Sequence, residues 1–269
     1  MSTFGFIGVG NMGGALARAV CEKIDPADVL VSDYSAEKAE AFGNEIGCVV
    51  SDNETIAATC KFIFLGVKPQ VLPSVLTALR PILKQRKHGD FILVSMAAGI
   101  SIAAIEYTLD YAVPVIRIMP NTPVSVGEGM ILYTSNEFIT DEEFDAFTSA
   151  LSLAGRLDKV KEKRIDAASV ISGCGPAFMY MFLESMMEAG YKLGLEREQA
   201  RLYAEQTMLG AAKLALSSDE SLEALRIKVC SPGGSTIEGV KVFEEQELSE
   251  IVSKALMASF MRTKELGRE

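Results

Sequence analysis

The chain has 269 residues, of which 49% are hydrophobic and 23% are charged, so it can bury a substantial core and is not intrinsically disordered. Its formal net charge of −10 argues against nucleic acid as a partner, because such binding depends on clustered Lys and Arg. The five cysteines are scattered, odd in number and without a C-x-x-C pair, which argues against a disulfide framework or a zinc site.

Targeting signals and histidine chemistry are also not indicated. The first residues lack a signal-peptide pattern, and the longest apolar region, 91–105, is too short to span a bilayer. A cytoplasmic protein that binds no membrane is therefore expected. The single histidine, His88, lies in a polar turn, so we expect neither an imidazole base nor a metal site.

A glycine-rich motif near the start of the chain predicts a dinucleotide site. Residues 3–7 form a strand pattern, G-x-G-x-x-G follows at 8–13, and a helical pattern follows at 14–24. These glycines permit a tight turn, close approach of a pyrophosphate, and close packing of helix on strand. The predicted contacts are Gly8, Val9, Gly10, Asn11, Met12 and Gly13.

Asp33 ends the next predicted strand, 29–32, and lies 20 residues after the last glycine of the motif. A carboxylate there can accept both ribose hydroxyls of NAD and would repel a 2′-phosphate. No arginine follows it, and Tyr34, Ser35 and Lys38 are the nearest groups able to hold such a phosphate. The local chemistry favours NADH and leaves NADPH open.

Strands and helices continue to alternate up to residue 160. Further strands are predicted at 48–50, 62–66, 91–94, 113–118, 130–133 and 155–160, with helices at 36–46, 54–59, 71–83 and 141–154. The pattern predicts an α/β Rossmann-type N-terminal domain, 1–160, with a mostly parallel sheet and extra strands. Loops after its strands add candidate cofactor contacts at Val67, Lys68, Pro69, Ala97, Ala98 and Asn121. Lys68 could contact the cofactor or the substrate, or could equally be an exposed loop lysine.

The second half, 161–269, has helical patterns only, which predicts an all-α C-terminal domain. Pro176 must kink or restart the helix that contains it. Residues 178–187 are apolar nearly all round, as in a buried helix or a subunit interface. We expect this domain to bind the substrate and to form a homodimer.

The stretch Ser231-Pro232-Gly233-Gly234 has turn chemistry and precedes another helical pattern. Ser235 and Glu238 have capping-box spacing, and an alternative start uses Ser231 as the cap. Either start gathers backbone N–H groups and hydroxyls where a carboxylate or phosphate could bind. An ordinary capped helix remains the other interpretation.

The absence of usable histidine narrows the chemistry that a dinucleotide fold would perform. Alcohol dehydrogenation needs a His, Tyr or Lys group to move the hydroxyl proton, and no Y-x-x-x-K motif occurs. Hydride transfer to a protonated imine is less demanding and can rely on positioning. The turn at 231–236 offers a carboxylate clamp, and Thr236 a hydroxyl for the ring nitrogen.

The motifs together resemble the pyrroline-5-carboxylate reductases. They are I-G-V-G-N-M-G at 7–13, V-K-P at 67–69, the loop at 95–99, P-N-T-P at 120–123, S-G-C-G-P-A at 172–177 and L-R-I-K-V-C-S-P-G-G-S-T at 225–236. The resemblance implies reduction of 1-pyrroline-5-carboxylate to L-proline with NADPH or NADH, the last step of proline biosynthesis. It also implies subunits that pair through the helical domain and often assemble further, commonly into decamers.

The resemblance also implies site residues. Gly8 to Gly13, Asn53, Val67, Lys68 and Ala98 fall at cofactor positions, and Thr236 is the predicted catalytic residue. Predicted substrate contacts are Glu162, Ser231, Gly234, Ser235 and Thr236. Cys174 and Lys228 depart from residues common in the family, and neither lies in the carboxylate clamp.

Two other functions stay open from the sequence. A 3-hydroxyacid dehydrogenase has a similar layout but needs a catalytic lysine on the long helix, where Lys192 lies late, and a substrate glycine motif that is missing. A non-catalytic dinucleotide sensor would bind cofactor without turnover and would have no use for the clamp at 231–236.

Overall fold

The computed structural model describes residues 4–87 and 89–266. Thr3, in the first predicted strand, and His88 lie outside the described residues. The contacts divide the chain into two compact units, Met1–Cys174 with Ser259–Glu269, and Gly175–Ala258. The predicted boundary at residue 160 stays a prediction.

The first unit is built on one sheet of eight strands in the order β3-β2-β1-β4-β5-β6-β7-β8. All neighbouring strands are parallel except β6 and β7, which are antiparallel. This confirms the Rossmann-type fold with extra strands. The strands are β1 (Phe4–Ile7), β2 (Val29–Ser32), β3 (Val49–Val50), β4 (Phe62–Leu65), β5 (Ile92–Ser95), β6 (Val115–Met119), β7 (Gly129–Ser135) and β8 (Gly155–Lys159).

The helices of this unit differ from the sequence prediction at several points. Helix α6 ends at Ala150 rather than residue 154, and α1 ends at Cys21 rather than residue 24. Helix α1 begins at Asn11 rather than residue 14, because the motif's last glycine belongs to the first helical turn. Helix α5 was not predicted; it follows Ser101, whose hydroxyl accepts the Ala104 N–H at 3.1 Å. The helices are α1 (Asn11–Cys21), α2 (Ala36–Ile46), α3 (Asn53–Thr59), α4 (Leu72–Leu83), α5 (Ile102–Leu109), α6 (Asp141–Ala150) and α7 (Glu162–Ser172).

The core of this unit lies on both faces of the sheet. β1, β2, β4 and β5 are buried at every position, as expected for parallel strands covered by helices on both sides. Aromatic rings pack between neighbouring strands, with ring centroids 5.1 Å apart for Phe4 and Phe62 and 4.4 Å apart for Phe6 and Phe64. This rigid sheet fixes the loops at its carboxyl edge.

The second unit contains α8 (Gly175–Lys192), α9 (Arg197–Leu216), α10 (Leu222–Lys228), α11 (Ser235–Glu245) and the greater part of α12 (Leu248–Leu266). Pro176 lies in the first turn of α8, so the predicted restart of the helix is confirmed. No residue of α8 is buried in the single chain, and many of its apolar side chains are exposed. The exposed ones include Met179, Tyr180, Met181, Phe182 and Met186.

One helical stretch among the described residues, Glu162–Lys192, is long and apolar enough to cross a membrane by length and composition alone. The chain breaks its regular helix inside this stretch, since α7 ends at Ser172 and α8 begins at Gly175. The same composition suits a helix that packs against another subunit. That the chain binds no membrane stays a prediction.

A buried ion-pair network ties α7 to β6 and to the end of α12. Arg117 on β6 is 2% exposed and donates to Asp166 Oδ1 at 2.6 Å, while Lys264 Nζ donates to Asp166 Oδ2 at 2.8 Å. Burial alone raises the pKa of the Asp166 carboxyl, but Lys264 and Arg117 outweigh it and hold that pKa below its ordinary value. Asp166 is therefore charged at neutral pH and anchors α7.

Arg117→Met should lower the free energy of unfolding of the first unit by roughly 3 kcal/mol, because it leaves a buried carboxylate with only one cationic partner. Urea unfolding measures this loss. Glu45→Gln is the control, since the Arg18–Glu45 pair is exposed and should contribute little. Equal midpoints for Arg117→Met and the wild type would contradict a stabilising role for the network.

Candidate functional site

The structure brings the predicted cofactor residues together at one edge of the sheet. They follow the carboxyl ends of β1, β2, β4, β5 and β6, or begin α3 after β3. Ligands of open parallel sheets bind at this edge. The residues are Gly8, Val9, Gly10, Asn11, Met12, Gly13, Asp33, Tyr34, Ser35, Asn53, Val67, Lys68, Pro69, Ala97, Ala98 and Asn121.

Close backbone packing sets the shape of the first loop. Gly8 has a φ of +97°, and its carbonyl oxygen would lie 2.1 Å from a Cβ at Gly13 and 2.4 Å from a Cβ at Gly66. Neither neighbour can carry a side chain without moving the backbone. A Cβ added to Gly10, in contrast, would meet no atom within 4 Å, so the space beside Gly10 is open.

Helix α1 begins against this open space. Gly10 is its N-cap, and among the described residues no side chain caps it. The first turn contains no acidic residue, so its N–H groups and the helix dipole favour an anion. The residues present therefore fit the pyrophosphate of a dinucleotide.

Asp33 joins this loop to the next strand end. Its Oδ2 accepts the Val9 N–H at 3.0 Å and its Oδ1 accepts the Ser35 N–H at 3.1 Å. Ser35 is also the N-cap of α2, whereas Tyr34 is fully exposed. The carboxylate is thus fixed in orientation and keeps lone pairs for further donors.

A hydrogen bond that the sequence did not predict holds Asn53. Ser32 Oγ donates to Asn53 Oδ1 at 2.6 Å, linking the end of β2 to the start of α3. Ser32 is 4% exposed. A serine that ends a buried strand was the available signal, because a buried hydroxyl needs a partner.

The loops after β4 and β5 present different side chains at the edge of the sheet. The Lys68 carbonyl accepts the N–H groups of Val71 at 2.9 Å and Leu72 at 3.1 Å, whereas the Lys68 side chain is exposed. Pro69 and Val67 are half-buried beside it. Ala97 is 1% exposed and Ala98 is half-buried, so this loop presents small side chains near the sheet edge.

The Asn121 side chain makes two hydrogen bonds within the first unit. Its Nδ2 donates to the Ser172 carbonyl at 2.9 Å, and its Oδ1 accepts the Met130 N–H at 2.8 Å. These bonds use the side-chain amide to join β7 and α7 to the loop after β6. A cofactor contact from Asn121 stays a prediction.

Glu162 is the first residue of α7, where the helix dipole favours a carboxylate. Its Oε1 accepts the Ile102 N–H at 2.8 Å, at the start of α5, and lies 3.8 Å from Arg117 Nη1. Ile102 and Arg117 therefore hold Glu162 within the first unit. Its predicted contact with substrate is not tested by these bonds.

The turn at 231–234 belongs to the second unit. The Ser231 carbonyl accepts the Gly234 N–H at 2.9 Å, and Gly233 has a φ of +73°, which favours glycine there. The predicted turn is confirmed. The Gly234 N–H is used by this turn, and the helix begins at the next residue.

Both predicted caps of α11 are wrong. Gly234 is the N-cap and Ser235 is the first helical residue, because the turn hydrogen bond ends at Gly234. No side chain among the described residues caps this helix, and Glu238 bonds instead to Lys241 at 2.7 Å. The first N–H groups of α11 are therefore free for a ligand, which favours the anion site over an ordinary capped helix.

Ser235 and Thr236 lie in the exposed first turn of α11. Within the described residues, neither hydroxyl takes part in a hydrogen bond. Both can therefore donate to, or accept from, a bound molecule.

No group of three or more His, Cys, Asp or Glu side chains in residues 4–87 and 89–266 could hold a metal ion. That the chain needs no metal stays a prediction. All five cysteines are free thiols. Lys192, which a hydroxyacid dehydrogenase would need as a catalytic group, is the exposed last residue of α8.

Comparison with known proteins places these features in a family. The family model described as pyrroline-5-carboxylate reductase dimerisation matches residues 162–266. A second model, described as NADP oxidoreductase, coenzyme F420-dependent, matches residues 3–99. Together they cover the helical region and most of the strand-end loops.

Relatives match along the whole chain. The pyrroline-5-carboxylate reductase of Pseudomonas aeruginosa is 37% identical over 269 residues, covering 98% of this chain and 96% of the relative. The solved Coxiella burnetii pyrroline-5-carboxylate reductase has a TM-score of 0.89 at 35% identity, and covers 98% of both chains. The Plasmodium falciparum pyrroline carboxylate reductase, solved with NADP bound, has a TM-score of 0.88 at 32% identity, again over 98% of both. The chain belongs to the pyrroline-5-carboxylate reductase family.

Proposed function

We propose that the chain reduces 1-pyrroline-5-carboxylate to L-proline with NADPH or NADH, the last step of proline biosynthesis. The observation that carries this proposal is the start of α11, where a glycine turn leaves the first helical N–H groups without a side-chain cap. Relatives named for this reaction match over the whole chain and share its fold.

The first unit holds the cofactor in this proposal. The cofactor supplies hydride when it is bound. The N–H groups at the start of α1 bind its pyrophosphate, and Asp33 accepts from the adenosine ribose. Small residues at 97 and 98 leave room for a flat ring at the sheet edge.

The second unit holds the substrate. N–H groups of Ser235 and Thr236 and the Ser231 hydroxyl bind the carboxylate, with Gly234 keeping the turn open. The Thr236 hydroxyl bonds to the ring nitrogen and aligns the imine, whose protonated form needs no strong acid to accept hydride. Glu162, which belongs to the first unit and is fixed there by the Ile102 N–H, stays a predicted substrate contact.

The active form is a cytoplasmic homodimer paired through the helical region 161–269, with the dinucleotide-binding domain at 1–160. Support comes from the match of residues 162–266 to a dimerisation family and from the exposed apolar side chains of α8. We extend the proposal to dimers assembled into a decamer, and light scattering would separate two chains from ten.

A spectrophotometric assay tests the function. With 1-pyrroline-5-carboxylate present, the chain should oxidise NADH or NADPH and form one L-proline for each cofactor consumed. Cofactor binding without proline formation would favour a dinucleotide sensor instead. Turnover of 3-hydroxyisobutyrate without proline-linked activity would favour a hydroxyacid dehydrogenase.

Thr236→Ala should lower kcat roughly 10- to 100-fold, because it removes a hydrogen bond that tightens in the transition state. Thr236→Ser keeps the hydroxyl and should restore most of the rate. Steady-state kinetics measure both. An unchanged rate in Thr236→Ala would remove this hydroxyl from the mechanism.

Gly10→Ala should weaken cofactor binding about tenfold or more without unfolding the protein, because its Cβ enters open space where the pyrophosphate would lie. Gly13→Ala should instead lower the thermal midpoint, since its Cβ would meet the Gly8 carbonyl at 2.1 Å. Fluorescence titration and thermal melts separate the two effects. Normal affinity in folded Gly10→Ala would argue against this loop as the cofactor site.

The double variant Met179→Glu, Met186→Glu should produce monomers, because two carboxylates would be buried unpaired on one stripe of α8. Light scattering at micromolar concentration measures the mass. Lys213→Glu on α9 changes the charge by the same amount as two added carboxylates but leaves the stripe apolar, so it should remain oligomeric. A wild type that is monomeric would overturn the proposed dimer.

A further inference from the structure

An acidic recess lies beside the carboxyl ends of β2 and β3. It has a volume of about 260 Å³, and four acidic residues, Asp33, Glu40, Asp52 and Glu54, are among those that line it. Its described lining includes no lysine or arginine. Only Asp33 was a candidate from the sequence, because the other three come from α2 and from both sides of the start of α3.

Asp33 connects this recess to the glycine loop. The Val9 N–H reaches Asp33 Oδ2 at 3.0 Å, so the carboxylate lies directly beside the loop proposed to hold the pyrophosphate. In the proposed function, the ribose attached to that pyrophosphate lies beside the Asp33 carboxylate, at the mouth of the recess. Asp33 retains lone pairs for the ribose hydroxyls, because each of its carboxylate oxygens accepts only one N–H from the backbone and can accept a further donor.

The other carboxylates come from the two helices beside the recess. Asp52 caps α3 by accepting the Thr55 N–H at 2.6 Å, and this bond holds the pKa of Asp52 below its ordinary value. Asp52 is therefore ionised at neutral pH. Glu40 lies on the exposed side of α2, one turn after Ala36, which also lines the recess.

We infer that this recess selects NADH over NADPH, with Asp33 accepting from the ribose hydroxyls and Glu40, Asp52 and Glu54 repelling a 2′-phosphate. The inference rests on the proposed function, since it concerns the cofactor of that reaction. A phosphate with nearly two negative charges would meet four carboxylates with no cation in the described lining. Lys38 is on α2 but does not line the recess.

Family membership does not decide this choice. The Plasmodium falciparum relative was solved with NADP bound, so the family fold accommodates the phosphorylated cofactor. The preference inferred here comes from the charges of this chain's own residues. It therefore differs from what that relative would lead one to expect.

The dissociation constants of NADH and NADPH for the wild-type protein, measured by fluorescence titration without substrate, test the inference. NADH should bind at least about tenfold more tightly. Asp33→Ser should weaken the binding of NADH and bring the dissociation constants of NADH and NADPH closer together. Glu40→Lys should strengthen the binding of NADPH about tenfold, because it adds a cation to the lining of the recess.

Glu37→Lys is the matched control, since it makes the same charge change on α2 but outside the recess lining. This variant should leave the ratio of the NADH and NADPH dissociation constants near that of the wild type. Equal binding of the two cofactors, or an equal shift in both lysine variants, would overturn the inference. Selective NADH binding without proline formation would instead uphold the inference and contradict the proposed function.

Discussion

The proposed function depends on the uncapped backbone N–H groups at two helix starts that follow glycine turns, those of α1 and α11. Helices α2, α3, α5, α6 and α10 each begin with a serine, aspartate or threonine that accepts a backbone N–H. Helices α1 and α11 begin instead at glycines, Gly10 and Gly234, with no such bond among the described residues. These two starts are where the proposed function puts the cofactor pyrophosphate and the substrate carboxylate. Helices α4, α7 and α9 also begin without a side-chain cap, but they do not begin at a glycine.

Close packing makes the first of these starts possible. Gly8, Gly13 and Gly66 bring β1, β4 and α1 so near to one another that a side chain at either neighbour would strike the Gly8 carbonyl. The approach is rigid because β1 and β4 are buried at every position. The loop between β1 and α1 is thus held in place while Gly10 remains open to solvent.

Much of the fold could be predicted from the sequence, because the buried parallel strands β1, β2, β4 and β5 are nearly continuous apolar runs and the spacing of the strands predicts the sheet. All eight strands were predicted, whereas α5 was missed, because its apolar residues continue directly from the small-residue loop after β5. The caps of α11 were wrong for a different reason. Ser235 and Glu238 have the spacing of a capping box, but the turn closed by Gly234 starts the helix one residue too early for it.

Sequence reasoning also found the candidate site residues on the loops but not the groups that position them. Arg117 and Asp166 are far apart in the chain, so their ion pair leaves no local pattern. The acidic recess combines α2 with the start of α3 and is visible only when both are folded. Glycine motifs are local and were predicted; contacts between distant segments were not.

A crystal structure of the protein with L-proline and oxidised cofactor bound would test the central claim most directly. The account predicts that the proline carboxylate accepts the N–H groups of Ser235 and Thr236 and that its ring nitrogen lies within hydrogen-bond distance of the Thr236 hydroxyl. Proline bound away from the start of α11 in a catalytically active crystal would contradict it.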